Sequence, residues 1–195
     1  MNKFVFLDRD GIINKKLDNN YVKTWSEFEF LPDAIKGIKF LNSHGFQTAI
    51  VSNQAGVSRG IFTYAELMAV DERMHKILKE NGAVVLKSYY CPHKDEDLCA
   101  CKKPKSGMFF KARDEFGIDL NKAWIIGDGE RDIVAGKRAG CRGIFVKETT
   151  PLHLKVRHPS VEGNKKTENR NSKADFIAKD LLEAAEIVVR ETVKR

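Results

Sequence analysis

The residues best placed to do chemistry are Asp8 and Asp10, two positions apart and followed by Gly11, directly after the apolar run Phe4-Val5-Phe6-Leu7. A short apolar run bounded by a turn residue reads as a buried strand. Buried strands of open α/β sheets present their chemistry at the carboxyl end. Of two such carboxylates, one can act as a nucleophile and the other can move protons, provided a cation offsets their repulsion. The plainer reading is a solvated turn, since Asp and Gly are common there.

Further chemistry-bearing groups recur at the ends of later apolar runs. Phe46 to Val51 reads as a second strand ending in Ser52-Asn53-Gln54, a hydroxyl and amides able to bind a phosphoryl oxygen or to cap the next segment. A third strand over Ala83–Tyr90 leads into Cys91-x-His93, five residues, then Cys99-x-Cys101. Four soft donors in about eleven residues can close a tetrahedral Cys3His zinc site, structural because no position is left open for water. The alternative is three reduced thiols beside a histidine. Cys141 stands apart as a buried thiol. Lys102-Lys103-Pro104-Lys105 follows at once, and a lysine fixed beyond a metal-stiffened loop can clamp phosphate; a solvated basic run is the alternative. A fourth strand over Ala123–Ile126 ends in Gly127-Asp128-Gly129-Glu130-Arg131-Asp132. Asp128 can complete a hard-metal site with the first pair, and few oxygen ligands with phosphate supplying the rest suit Mg2+. Asp132 falls in the first turn of the next helix, as a dipole-compensating residue or as the holder of a cation.

The elements between these groups must position them. Pro32-Asp33 opens a helix carrying Ile35, Ile38 and Leu41 on one face, and Gly45 ends it. Thr63 and Glu66 form a capping box for a helix running to about Asn81, and Gly82 stops it. Ser106 starts a helix with Met108, Phe109, Ala112 and Phe116 inward, ended by Gly117. Gly143 to Val146 is the fifth strand, Ala174 to Ala178 a last short one, and Asp180 caps a terminal helix. This alternation argues an α/β fold with a mostly parallel sheet and helices on both faces. Residues 15–31, with Tyr21, Trp25, Phe28 and Phe30, read as a flap near the first strand's end. Its aromatics serve either to cover a substrate or simply to pack.

The 195 residues are read as a single domain, 1–195, with 42% hydrophobic and 31% charged residues. No apolar run reaches the roughly 18 residues of a membrane span. The first strand begins within three residues and no charged-then-apolar leader precedes it, so a cytoplasmic protein is expected. Net charge is +7 with a pI near 9.2. The stretch 149–173 holds six Lys/Arg against two acids, a surplus of +4, and reads as a basic insertion rather than a nucleic-acid face. Neither G-x-x-x-x-G-K-[ST] nor G-x-G-x-x-G is present, which disfavours kinase and dinucleotide chemistry.

Asp8-x-Asp10-Gly11, Ser52-Asn53, Lys103 and Gly127-Asp128-x-x-x-Asp132, in this order at strand ends, resemble the haloacid dehalogenase (HAD) superfamily of phosphohydrolases. D-R-D-G-x-x-N, S-N-Q, C-P-H…C-x-C-K-K-P and G-D-x-x-x-D are similar to the branch that holds heptose bisphosphate phosphatases and histidinol-phosphate phosphatases. Tyr21-Val22, Phe28-Glu29-Phe30, Asn53 to Gly60 and Lys103 to Met108 look like the heptose subgroup. Two positions depart from the pattern: Lys102 where Arg is usual, and Gly129 where the heptose enzymes often carry Lys. The resemblance implies a Rossmann-like HAD fold without a large cap, with a zinc-stabilised loop at 91–101, acting as a monomer on a phosphorylated sugar. It implies Asp8 as nucleophile and Asp10 as acid and base. Mg2+ would sit on Asp8, Asp128 and the main-chain carbonyl of Asp10, and Zn2+ on Cys91, His93, Cys99 and Cys101. Ser52 and Lys103 would act on the phosphoryl group, with Asp132 in support. Substrate contacts would come from Asp18, Tyr21, Ser52, Asn53, Gln54, Arg59, Lys102 and Lys103. The rival expectations are histidinol phosphate as substrate, a nucleic-acid 3′-phosphatase, and a non-catalytic zinc module.

Overall fold

The structure is a computed structural model and describes residues 3–17, 20–147 and 174–193. Six strands form one sheet: β1 (Lys3–Leu7), β2 (Phe46–Asn53), β3 (Ser88–Cys91), β4 (Trp124–Gly127), β5 (Arg142–Val146) and β6 (Phe176–Ala178). Their order is β3-β2-β1-β4-β5-β6, and every pairing is parallel. Five helices connect them: α1 (Ala34–Ser43), α2 (Tyr64–Glu80), α3 (Gly107–Phe116), α4 (Glu130–Ala139) and α5 (Leu181–Val193). From β1 the chain winds outward to β3, then returns to start again at β4 on β1's other side. The winding therefore reverses between β1 and β4, and a crevice opens there beyond the strand ends.

β1 is buried on both faces, which is why it reads as a continuous apolar run rather than an alternation. Val5 and Leu7 enter a core shared with Ile38 and Leu41 of α1, Val70 and Met74 of α2, and Val188 of α5. Phe4 and Phe6 enter the opposite core with Phe109 and Ala112 of α3 and Ala135 of α4. Phe6 meets Phe109 edge to face at 4.8 Å between ring centroids. Burying each such side chain stabilises the fold by roughly 2–3 kcal/mol. Leu7 pairs with Ile50 and Ile126, so this double anchoring brings the ends of β1, β2 and β4 level.

The capping box of α2 forms, with the Glu66 amide donating to Thr63 Oγ1 at 3.2 Å and the Thr63 amide to Glu66 Oε2 at 2.7 Å. Gly45, Gly82, Gly117 and Gly140 end α1 to α4 in left-handed conformations. The third strand is shorter than expected and begins at Ser88 rather than Ala83. The Thr48 hydroxyl donates to the Val84 carbonyl, and the Val84 amide donates to Asn42 Oδ1, so side chains take bonds the ladder would have made. A lone antiparallel bridge, Asn14 to Phe30, pins the base of the flap. Trp25 stacks on Phe28 at 4.8 Å, Phe30 meets Phe28 edge to face, and all three pack against the core. The stretch 149–173 lies outside the described residues. No described helix is long and apolar enough to cross a membrane.

Helix α4 lies hard against β4. A Cβ on Gly136 would sit 2.2 Å from Ile125 Cγ2. Gly136→Ala is expected to destabilise the protein by about 1–3 kcal/mol through overpacking, read as a lower urea midpoint at unchanged m-value.

Candidate active site

The reversal point gathers four charged side chains. Asp8 follows β1 and its amide still donates to the Ile126 carbonyl at 3.0 Å, so the ladder fixes its backbone. Asp128 follows β4, and Asp132 lies in the first turn of α4. Lys103 is buried among them: its Nζ is 3.0 Å from Asp8 Oδ1 and 2.6 Å from Asp132 Oδ1, and donates to the Val51 carbonyl at 2.7 Å. Asp132 fills both roles read from the sequence. Its Oδ2 accepts from the Gly129 amide at 2.9 Å as a helix cap, while Oδ1 holds the lysine. Gly11 permits the close approach of β1 and β4: its φ is +88°, and a Cβ there would sit 2.4 Å from Asp128 Oδ2.

Carboxylates outnumber ammonium groups in this pocket, and burial with this imbalance sets their proton affinities. Burial pushes Asp8 up to about 6, with the charge of Asp132 adding and that of Lys103 opposing. Burial raises Asp128 as well, against the pull of Lys16, whose Nζ lies 2.7 Å from its Oδ2. Burial works against the charge on Lys103, but Asp132 and Asp8 outweigh it and hold the ammonium above its ordinary value. Carboxylate oxygens of Asp8, Asp128 and Asp132 lie within 4.8 Å of one another. Hard oxygen donors carrying surplus negative charge suit a divalent cation.

Asp10 has a different environment. Arg9 donates to it from Nε at 3.2 Å and from Nη2 at 3.0 Å, Asn14 Nδ2 at 2.9 Å, and Gln54 Nε2 at 2.8 Å. Burial alone would raise its pKa; the Arg9 charge and these donors hold it below the ordinary carboxylate value. Two neighbouring carboxylates are thus driven in opposite directions, which is a signature of divided acid–base roles. Ser52, at the end of β2, lines the same cleft and accepts from Gln54 Nε2 at 3.2 Å.

The cleft measures about 690 Å3. Asp8, Asp10, Ser52, Lys103, Asp128 and Asp132 line its floor, and Tyr21, Asn53 and Arg59 its sides. Tyr21 stands apart from the other flap aromatics here, packed on Phe62 at 5.5 Å and accepting from Arg59 Nη1 at 3.4 Å. Three expected substrate contacts are placed by other partners. Gln54 is fully buried and does not line the cleft, because its amide holds Asp10 and Ser52. Lys102 does not line the cleft and pairs instead with Asp95 at 2.9 Å. Asn53 reaches the cleft wall, but its amide brackets the Lys103 backbone, donating to the carbonyl at 3.0 Å and accepting from the N–H at 2.9 Å. Asp18 lies outside the described residues.

Two lining cations were not singled out in the sequence, Lys16 and Arg131. Lys16 gave no signal within a polar stretch. Arg131 gave one: a cation in the first turn of a helix opposes the helix dipole and calls for another reason to be there. Lys102, by its hydrogen bond and charge, holds the Asp95 carboxyl below the ordinary value, and the charges of Arg59 and Arg131 add to it.

Beside the cleft, four donors converge at the end of β3. Cys91 Sγ lies 3.6 Å from Cys99 Sγ and 3.3 Å from Cys101 Sγ, while His93 Nδ1 is 3.6 Å from Cys91 and 3.3 Å from Cys101. Tetrahedral ligands at Zn–S about 2.3 Å are separated by roughly 3.8 Å, so these spacings are near those of a closed four-coordinate site. Leu98, left-handed at φ 47°, turns the loop between the two ligand pairs, and Lys105 Nζ donates to the Cys99 carbonyl at 2.6 Å. Cys141 is remote from this group, and burial alone pushes its thiol up to about 12.

Comparison with known proteins agrees with this geometry. The haloacid dehalogenase-like hydrolase family matches residues 6–140, and a HAD-hydrolase-like family residues 100–184. The chain is 37% identical over 143 residues to the D-glycero-beta-D-manno-heptose-1,7-bisphosphate 7-phosphatase of Pseudomonas aeruginosa, covering 73% of this chain and 80% of that one. It is 34% identical over 167 residues to the D-glycero-alpha-D-manno-heptose-1,7-bisphosphate 7-phosphatase of Photorhabdus laumondii, covering 82% and 86%. Among solved structures, D,D-heptose 1,7-bisphosphate phosphatase from B. bronchiseptica, complexed with magnesium and phosphate, superposes with a TM-score of 0.79. The two share 31% identity over 97% of this chain and 99% of that one.

A raised carboxyl is a stability penalty when ionised. Asp8 goes from 3.8 to about 6, so the folded state holds its proton more tightly than the unfolded chain. The contribution is fully present below pH 3.8 and lost as pH rises through 6. In metal-free protein, Asp8→Asn is therefore expected to raise the denaturation midpoint at pH 8, by roughly 2–3 kcal/mol at most. The gain should vanish at pH 4, and denaturant titrations at the two pH values check it.

Proposed function

The chain belongs to the haloacid dehalogenase-like hydrolase family, and from that premise we propose that it is a Mg2+-dependent phosphatase removing the 7-phosphate of D-glycero-D-manno-heptose 1,7-bisphosphate. The observation that carries this reading is the buried Lys103 ammonium between Asp8 and Asp132, facing Asp128 and Ser52 across one cleft. Relatives named for both anomers of this substrate support it over histidinol phosphate or a nucleic-acid end.

Asp8 attacks phosphorus in line, and the bond to the sugar oxygen breaks as an aspartyl-phosphate forms. Asp10 gives its proton to the departing oxygen, then takes one from the water that attacks the same phosphorus, releasing phosphate and restoring Asp8. Arg9 favours the carboxylate form, which suits the second step; an incoming phosphoryl dianion offsets that charge and lets Asp10 carry the proton for the first. Lys103 stabilises the negative charge that builds on the transferring group, and Ser52 donates to one of its oxygens. Asp132 keeps Lys103 in place. The residues that would hold Mg2+ are Asp8 and Asp128 with the main-chain carbonyl of Asp10. When bound, the ion supplies charge neutralisation that lets an anionic carboxylate meet an anionic ester.

The substrate's second phosphate is assigned to the rim, where Arg59 and Arg131 line the cleft and three cations face one carboxylate. Lys102 organises that rim through Asp95 instead of gripping phosphate itself. Zn2+ on Cys91, His93, Cys99 and Cys101 would fix the loop from which Lys103 projects. The protein is assigned to the cytoplasm, acting as a monomer on a small phosphosugar. The flap at 15–31 and the Cys loop together restrict access in place of a cap domain.

Phosphate release from both anomers, histidinol phosphate and fructose 1,6-bisphosphate tests the assignment. One heptose anomer should lead in kcat/KM by about a hundredfold, nearly 3 kcal/mol. Asp8→Asn should reduce turnover at least about a thousandfold, and a native rate in that variant would sink the mechanism. Arg131→Ala should raise KM for the bisphosphate by about tenfold, near 1.4 kcal/mol for one lost charge-assisted contact. Cys99→Ser should release bound zinc, lower Tm and reduce kcat; a zinc content of one per chain in the wild type, measured by mass spectrometry, is the companion result.

A further inference from the structure

One buried polar cluster is not used by the reaction described above. Asp71 of α2 is 6% exposed, yet accepts from Ser88 Oγ at 2.7 Å and from the Tyr90 hydroxyl at 2.6 Å. His75, one turn along α2, lies 2.9 Å from Ser88 Oγ and 3.5 Å from Asp71 Oδ1. Tyr90 stands between Asp71 and Arg9: the guanidinium carbon is 5.7 Å from its ring centroid, and its phenol interacts with both charges. Arg9 is fully buried and grips Asp10 through Nε and Nη2, while its Nη1 has no hydrogen-bond partner. The contacts therefore run without a break from Asp71 through Tyr90 and Arg9 to Asp10.

A fully buried guanidinium needs compensation on every side it presents. Asp10 supplies it on one side. On the other, the face of an aromatic ring and a phenol oxygen polarised by Asp71 present negative potential. Loss of that second attraction would leave Arg9 drawn by Asp10 alone and would shift the carboxylate it carries. We propose that Asp71, acting through Tyr90, is a positioning residue for Asp10: it sets where Arg9 sits, and so where the proton donor meets the leaving oxygen. The inference rests on the reading of Asp10 as proton donor. The same contacts also tie α2 to the edge strand β3, and a purely architectural role would affect every substrate alike.

The leaving group separates the two roles. A sugar alkoxide must be protonated as it departs, whereas 4-nitrophenolate leaves without a proton. Wild type, Asp71→Asn and Tyr90→Phe are compared on the heptose bisphosphate and on 4-nitrophenyl phosphate, with Mg2+. Tyr90→Phe keeps the ring in place and removes only the bridging oxygen, so it decides the matter if Asp71→Asn does not fold. The expected result is a kcat on the sugar ester lower by about tenfold at little-changed KM, since a small misplacement of a catalytic group costs up to about a hundredfold. On the aryl ester the rate compared is the first-turnover burst of 4-nitrophenolate, which precedes the water step that Asp10 also serves, and it should fall less than about threefold. An equal fall on both esters, or none on either, overturns the inference. Asp10→Asn is the reference: if it too fails to separate the esters, the proton-donor reading has failed, and if it separates them while the other two do not, only the role of Asp71 has failed.

Discussion

The site depends on a positive charge held where water cannot reach it. Lys103 is 2% exposed, and its ammonium survives burial only because Asp8 and Asp132 flank it and the Val51 carbonyl accepts a further hydrogen bond from it. A buried lysine without such partners would lose its proton. The reverse also holds: two carboxylates this close would not both ionise without a cation between them. Lysine and carboxylates therefore sustain one another, and each needs its backbone placed to within a fraction of an ångström. The structure meets that need with rigid supports at every anchor: the β1–β4 ladder for Asp8, the helix cap for Asp132, and the Asn53 amide clamped on both sides of the Lys103 peptide.

The same supports explain why this cleft handles anions. Lys103, Lys16, Arg59 and Arg131 line it together with the carboxylates, in a volume of about 690 Å3. At the floor, burial raises both Asp8 and Asp128, and neighbouring carboxylates add to the rise. At the rim, positive charge is in surplus and lowers Asp95. A divalent cation would offset the first imbalance, and the proposed second phosphate would offset the other. A molecule with two phosphates spaced along a sugar is complementary to that polarity.

Burial also divides the labour between two nearly identical residues. Asp8 and Asp10 are two positions apart on the turn that follows β1, and the partners that surround each one set them apart. Asp8 faces other carboxylates and is pushed up; Asp10 enters a cage of Arg9, Asn14 and Gln54 donors and is pulled down. The amides of Gln54 and Asn53 are likewise spent inside the protein, on Asp10 and Ser52 and on the Lys103 backbone.

Local chemistry made much of this legible in the chain alone. The apolar run into Asp8-x-Asp10-Gly11, the Thr63–Glu66 box, the terminal glycines and the Cys-x-His…Cys-x-Cys spacing each state a preference within a few residues, and the structure places the strand, cap, helix ends and donor cluster accordingly. What the chain could not state were relations across distance. That Lys102 and Lys103 part company, that Gln54 is spent on Asp10, that Arg131 lines the cleft with Arg59, and that β3 begins only at Ser88 all follow from partners contributed by other elements. Residue type and spacing determine which groups reach the strand ends. Only the packing of β1 between β2 and β4, with helices closing both faces, decides which of those groups meet, because a side chain's partner is set by whatever the fold brings within about 3 Å of it.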